Sequence, residues 1–308
     1  MKSNDRARIM TMVVPTTRGV VEAPVAPSAG PRLVVWLAVV FVAAVAMTII
    51  NTSPSGGVYE PHPTDAPTAG FGGNQSQSGY WMIGRDGSVT AFGASSHFGD
   101  VVTALGNAAP SPVVAMTATP SGLGYLIMAE DGELYFFGDA PDAGSIKGQL
   151  GAGEIAAAVS VTPSGNGYWV FTDRGKAVAF GDAKHFGDVS HLTLAGPIVS
   201  SVATPSGKGY YMLGSDGGVF AFGDAAFSGS IPQVLPGVTL NCAIVGLVPT
   251  PSGNGYWLVA CDGGVFAFGD AGFVGSLPGV LGGATLVAEI NGMVAYGNGY
   301  LMVAFDGG

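Results

Sequence analysis

From Tyr80 onward the chain is written in short apolar runs separated by small clusters of Gly, Pro, Ser and Asp. "YWLVA" (256–260) and "VFAFG" (265–269) are two such runs, and "YWVF" (168–171) and "LYFFG" (134–138) are others. None alternates apolar with polar residues, so each reads as a strand buried on both faces rather than one with a wet side. Between the two runs stands "DGG", and Asp-Gly flanked by apolar runs is the strongest short hairpin signal. Before "YWLVA" comes "PSGNG", a turn composition, and before that "AIVGLV" (243–248), a third apolar run. The pattern predicts an antiparallel meander: strand a ending before Thr250, strand b, strand c, and a possible short outer strand d at "FVGS" (273–276).

The meander recurs. Gly-Tyr pairs end at Tyr80, Tyr125, Tyr168, Tyr210, Tyr256 and Tyr300, at intervals of 45, 43, 42, 46 and 44 residues. Twelve residues after each of the first five tyrosines stands a Phe followed by Gly: Phe92, Phe137, Phe180, Phe222 and Phe268. Seven residues further on stands another glycine: Gly99, Gly144, Gly187, Gly229 and Gly275. Only the stretch from that glycine to the next "TPSG", at Thr119, Thr162, Thr204 and Thr250, varies in length. A small sheet greasy on both faces needs a like-shaped neighbour on each side, and radial stacking of such sheets is the β-propeller. An all-β propeller of blades of about 44 residues is therefore expected over residues 79–308, with five to six repeats and the last incomplete. A β-helix or solenoid is the alternative. The large residue after each tyrosine (Trp81, Leu126, Trp169, Tyr211, Trp257, Leu301) is expected to wedge between blades.

The stretches "GYWMIGRDGSVTAFG" (79–93), "GYWVFTDRGKAVAFGD" (167–182), "GYYMLGSDGGVFAFGD" (209–224) and "GYWLVACDGGVFAFGD" (255–270) resemble tandem repeats of the GYWLVASDGGVFAFGDA type. Such repeats occur in exported and membrane-anchored actinobacterial proteins and are thought to form propellers. The resemblance implies fold and export and assigns no activity. The third unit departs from it, with Arg174 where the others carry the turn Asp.

Composition agrees with a turn-rich β protein: of 308 residues 48% are hydrophobic and 10% charged, with 51 Gly and 20 Pro. Charge is uneven. Residues 1–50 carry five basic and two acidic side chains, the rest six basic and nineteen acidic, a surface that repels phosphate backbones and argues against nucleic acid as a partner. Residues 33–50, "LVVWLAVVFVAAVAMTII", form an uncharged run of 18 with Arg32 at its front edge, and the next basic residue is Arg85. This predicts a single-pass anchor with 1–32 cytoplasmic and the repeats outside. The alternative is a signal peptide cleaved near Ala44-Val45-Ala46. Residues 51–78 have a Pro/Gly/Ser-rich linker composition, within which His62 reads as a solvated residue.

Candidate chemistry is sparse. Asp86, Asp131, Asp216, Asp262 and Asp306 share one repeat position and read as hairpin-turn residues bonding the local backbone. One carboxylate per turn does not make a calcium loop, and the same holds for Asp139, Asp182, Asp224 and Asp270 of "FGD". The turn weakly resembles the Asp-box hairpin of sialidases, itself a structural element. His97 and His185 share the tetrapeptide "HFGD", which repeat identity explains more simply than a metal site, and His191 has no motif around it. Glu130, Glu133, Glu154 and Glu289 break the repeat symmetry, as a catalytic carboxylate pair must, and a propeller glycosidase or lyase is the enzyme alternative. No nucleophile elbow, P-loop or zinc spacing is present, so no cofactor or metal is implied. Cys242 and Cys261, the only cysteines, face each other if the hairpin turns about Pro251-Ser252, and export permits a disulfide; two buried free thiols are the alternative. The expected role is a binding or scaffolding module at the cell envelope, its partner a glycan or an envelope protein, reached through variable loops gathered on one face.

Overall fold

The computed structural model describes residues 79–282, 286–296 and 299–305. The expected cytoplasmic segment, membrane anchor and linker (1–32, 33–50 and 51–78) lie outside the described residues, as does Asp306. Among the described residues no helix is long and apolar enough to cross a membrane.

The described residues are all-β apart from three single helical turns. β1 (Gly79–Ile83) pairs with β2 (Val89–Gly93). Four three-stranded sheets follow in a-b-c order: β3 (Val113–Ala118), β4 (Gly124–Ala129) and β5 (Leu134–Gly138); then β6 (Ala156–Val161), β7 (Gly167–Thr172) and β8 (Ala177–Gly181). The next two are β9 (Ile198–Ala203), β10 (Gly209–Gly214) and β11 (Val219–Gly223), and β12 (Ile244–Pro249), β13 (Gly255–Ala260) and β14 (Val265–Gly269). The last sheet is β15 (Ile290–Tyr296) with β16 (Gly299–Ala304). Every pairing is antiparallel, so the solenoid alternative, with its parallel coils, does not describe this chain. The first unit thus shows strands b and c and the sixth strands a and b, each a sheet of two.

Strand b is the buried centre. β4, β7, β10 and β13 are buried at all six positions, as their unbroken apolar runs require. Alternate residues serve the two neighbours. Tyr125 and Ile127 pack with Trp81, Ile83 and Val101 of the preceding unit, and Leu126 and Met128 pack with Val159, Tyr168 and Val170 of the following one. Three further clusters join the third unit to the fourth, the fourth to the fifth and the fifth to the sixth. Neighbouring sheets come together at their a strands (β3 beside β6, β6 beside β9, β9 beside β12, β12 beside β15) and stand apart at b and c, so they fan from a common edge.

No strand d forms. After strand c the chain runs back along the outside as an irregular segment, held in four units by the residue after the tyrosine: Trp81 Nε1 donates to Ser96 O (2.8 Å), Trp169 Nε1 to Lys184 O (2.7 Å), Tyr211 Oη to Ala226 O (3.0 Å) and Trp257 Nε1 to Gly272 O (2.8 Å). These side chains therefore wedge between sheets and also satisfy a carbonyl that a strand ladder would otherwise take. The segment leads into α1 (Val101–Leu105), α2 (Ile231–Val234) or α3 (Leu277–Leu281) in units one, four and five.

In the β12–β13 hairpin Pro249 faces Tyr256, so the turn is centred one residue later than Pro251-Ser252, and a bulge between Ile244 and Gly246 compensates. Cys242 and Cys261 lie just beyond the strand ends rather than within strands a and b. They are joined as a disulfide with Cα atoms 5.5 Å apart.

Candidate functional site

Each joint between units carries one polar latch. The hydroxyl of the strand-b tyrosine donates to the glycine carbonyl of the preceding unit: Tyr125 to Gly99, Tyr168 to Gly144, Tyr210 to Gly187, Tyr256 to Gly229 and Tyr300 to Gly275. The same hydroxyl accepts from the amide one residue before that glycine, for instance Phe98 N to Tyr125 Oη at 3.2 Å and Phe186 N to Tyr210 Oη at 3.3 Å. Burial pushes the Tyr125 and Tyr168 hydroxyls up to about 12, so they stay protonated and remain donors. The glycine is required twice over. Gly187 has φ +123°, and a Cβ there would lie 2.8 Å from the Phe222 ring of the next unit; Gly229 meets Phe268 in the same way. The fixed seven-residue Phe-to-Gly spacing thus encodes a joint: a unit's glycine receives the next unit's strand-c phenylalanine.

The turn end of the strands is closed by a polar clamp. Thr119 Oγ1 donates to Asp139 Oδ1 (2.7 Å) and Ser121 Oγ to Asp139 Oδ2 (2.5 Å). Thr162 and Ser164 hold Asp182, Thr204 and Ser206 hold Asp224, and Thr250 and Ser252 hold Asp270 in the same way. The "FGD" aspartates are therefore fasteners that tie strand c to the a–b turn. The bond from Ser206 lowers the Asp224 carboxyl below its ordinary range, and that from Ser252 does the same for Asp270.

The hairpin end is built differently. Asp86, Asp131, Asp216 and Asp262 each accept, through Oδ1, the amide two residues on, at 2.9–3.1 Å. In the third unit the backbone turn survives without an Asp at that place: Gly175 N still donates to Thr172 O (2.9 Å), while Arg174 reaches Ala152 O (2.7 Å). Every variable loop is pinned to this end, through Val101 N to Gly87 O, Ile146 N to Gly132 O, Val189 N to Gly175 O, Ile231 N to Gly217 O and Leu277 N to Gly263 O. Beyond these anchors the loops expose aliphatic side chains: Leu105, Leu192, Val234, Val238, Val280 and Val287, the last two at 77% and 96%. A cleft of about 290 Å³ opens among them, between Leu192–Gly196 of one unit and Asp216, Phe220 and Pro232 of the next.

The symmetry-breaking acids do not converge in pairs with a shared partner. Glu130 lies 3.8 Å from Arg85, and Glu133 lies 2.7 Å from Lys147, which also approaches Asp131 at 3.6 Å. Glu154 accepts from Gly151 N at 2.8 Å; burial opposes its ionisation, but bonds from Thr172 and Gly151 outweigh it and its pKa is lowered. Glu289 is exposed. The two histidines serve their own units, His97 beside Asp100 at 3.8 Å and His185 beside Asp188 at 3.6 Å. Cys242, Cys261 and Glu289 lie within 4.8 Å of one another, but the disulfide leaves no thiolate to bind a metal.

No protein-family model matches the chain, and no curated protein does. Among solved structures it is similar to the β-propeller domain of Cps50 (Swd1) from Myceliophteria thermophila, at 11% identity and TM-score 0.49, over 74% of this chain and 77% of that one. It is also similar to a structural genomics protein of unknown function from Bacteroides thetaiotaomicron, at 13% identity and TM-score 0.49, over 74% of this chain and 64% of that one.

Proposed function

We propose that the chain is a binding or scaffolding module at the cell envelope, its sheets forming the sector of a β-propeller and its hairpin end the face that meets a partner. The propeller reading is supported by sheets that meet at their a edges and splay outward. The observation that carries the binding reading is the contrast between the two ends: a polar clamp at one, exposed aliphatic side chains on irregular loops at the other. Exposed apolar groups gathered on loops over a rigid frame are the usual mark of an interaction surface. A protein partner fits better than a glycan, because Trp81, Trp169 and Trp257 and the strand-b tyrosines Tyr125, Tyr168, Tyr210 and Tyr256, which would stack on sugars, are buried in the joints. The uncharged run at 33–50 behind Arg32 supports a single-pass anchor with the repeats outside the cytoplasm.

The test is comparative capture. The full chain and a Leu192→Asp/Val234→Asp/Val280→Asp variant are cross-linked to an envelope fraction. Loss of a defined protein adduct with unchanged melting supports the reading. Adducts of equal yield from both, or binding only to polysaccharide, would sink it. Protease protection of an epitope placed before residue 33 and one placed after residue 51 checks the topology.

A further inference from the structure

Two units treat the same place at the hairpin end in opposite ways. In the second unit the place is filled from within. Lys147, next after the loop anchor Ile146, brings its Nζ to 2.7 Å from Glu133 and 3.6 Å from Asp131. In the fourth unit the anchor is Ile231, and the matching bonds Ile146 N to Gly132 O and Ile231 N to Gly217 O fix the correspondence. By that register Pro232 stands for Lys147, Gly218 for Glu133 and Asp216 for Asp131. Proline has no amine and glycine no side chain, so both fillers are gone while the aspartate stays. What opens there is the cleft of about 290 Å³, walled by Leu192, Leu194, Phe220 and Pro232 with Asp216 in its lining. Asp216 keeps its turn role through Oδ1, which accepts from Gly218 N at 3.0 Å, and among the described residues it has no ion pair. The basic side chains of this end serve other acids. Arg85 lies beside Glu130, Lys147 beside Glu133 and Asp131, and Arg174 and Lys176 face the charge of Glu154. His191 precedes Leu192 in the chain but does not line the cleft.

We infer that this cleft receives a lysine side chain of a partner polypeptide, its methylene stem along the apolar walls and its ammonium on Asp216, as Lys147 lies beside Asp131 within the chain. Two observations carry the choice of occupant. One is charge complementarity: the cleft presents a carboxylate and apolar walls, and a neutral or acidic side chain would leave that carboxylate without a counter-charge. The other is the second unit, where the same aspartate position is already met by a lysine on the same loop position that Pro232 leaves vacant. Lysine fits the walls better than a short cation would, because its four-carbon stem buries apolar surface while the charge stays at the polar lining. The inference rests on the hairpin-face reading and names the chemistry of the partner that this face would meet.

The probes are two fluorescein-labelled peptides, Ser-Leu-Lys-Leu-Ser and Ser-Leu-Gln-Leu-Ser, titrated into the full-length chain at low salt. Saturable binding of the lysine peptide is expected, about threefold tighter than that of the glutamine peptide and weakening as salt rises. Asp216→Asn keeps an oxygen for Gly218 N, so the melting temperature should hold while affinity for the lysine peptide falls about threefold to fivefold. Asp262→Asn, at the same turn position of the fifth unit but outside this cleft, is the control and should leave affinity unchanged. Gly218→Glu with Pro232→Lys copies the second unit into the fourth and should abolish binding by filling the cleft. A lysine peptide that does not bind, equal affinity for the glutamine peptide, a doubly substituted chain that binds like the parent, or a loss from Asp262→Asn as large as that from Asp216→Asn would overturn the inference. The two readings fail differently. An envelope adduct lost with the aliphatic triple variant but kept with Asp216→Asn removes this inference and leaves the face; saturable lysine-peptide binding without any difference in adducts removes the face reading alone.

Discussion

At the clamped end of the strands four units repeat the same Thr, Ser and Asp in the same bonds, whereas at the hairpin end the loops differ in length, sequence and helix content. Both ends are anchored to the same joints. The difference is what the anchor leaves over. The clamp satisfies its own polar groups, and the large apolar side chain exposed among the clamped turns is Leu123. The loops are fixed near their two ends by backbone bonds, and between those anchors they carry side chains that stay exposed. Order and exposure are thus separated along a strand only five or six residues long.

If that separation is right, substitutions should rank by distance from the joints. Trp169→Ala removes a fully buried side chain and its bond to Lys184 O, and should cost about 3–5 kcal/mol in urea unfolding. Reduction of Cys242–Cys261, or Cys242→Ser with Cys261→Ser, opens a bridge of sequence separation 19 and should cost about 3 kcal/mol, read as a fall in melting temperature on adding reductant. Tyr210→Phe leaves Gly187 O and Phe186 N without their partner and should cost about 1–3 kcal/mol.

The clamp should show itself in acid. The folded pKa of Asp224 and Asp270 lies below the model-compound value of 3.8, so their contribution is present above that value and lost as pH falls through the folded one. Both carboxylates are exposed to solvent, so the effect is small. Ser206→Ala with Ser252→Ala should lower the urea midpoint near neutrality slightly and leave it flatter as pH falls through the model-compound value of 3.8. At the far end of the ranking, Val287→Asp, at a residue 96% exposed, should change stability by less than about 0.5 kcal/mol. A cost comparable with that of Tyr210→Phe would place the loops inside the core and erase the contrast.

The sheets were legible because their signals are local. Unbroken apolar runs and Asp-Gly turns mark β10–β11 and β13–β14 within about fifteen residues each, and the period of the Gly-Tyr pairs says that one unit covers the next. The absence of strand d was not legible, because "FVGS" carries strand-like residues and the group that displaces a ladder there, Trp257 Nε1, is fifteen residues away. The clamp and the latch were legible only as recurrence. Thr204 and Ser206 stand at constant distances before Asp224, and Tyr210 at a constant distance before Phe222, but which atoms meet depends on how two units pack. The β12–β13 turn is centred one residue later than expected and a bulge between Ile244 and Gly246 compensates, which sequence period alone does not announce. His97 and His185 each stand beside the aspartate three residues on, a recurrence the shared tetrapeptide makes visible.

The latch has a consequence for how such a chain can change over generations. Each unit brings a glycine for the unit after it and a tyrosine and phenylalanine for the unit before it. A duplicated segment therefore arrives with both halves of its own coupling, and an excised one takes both away. Lengthening or shortening the array requires no compensating change elsewhere, which leaves the loops free to drift toward whatever they bind.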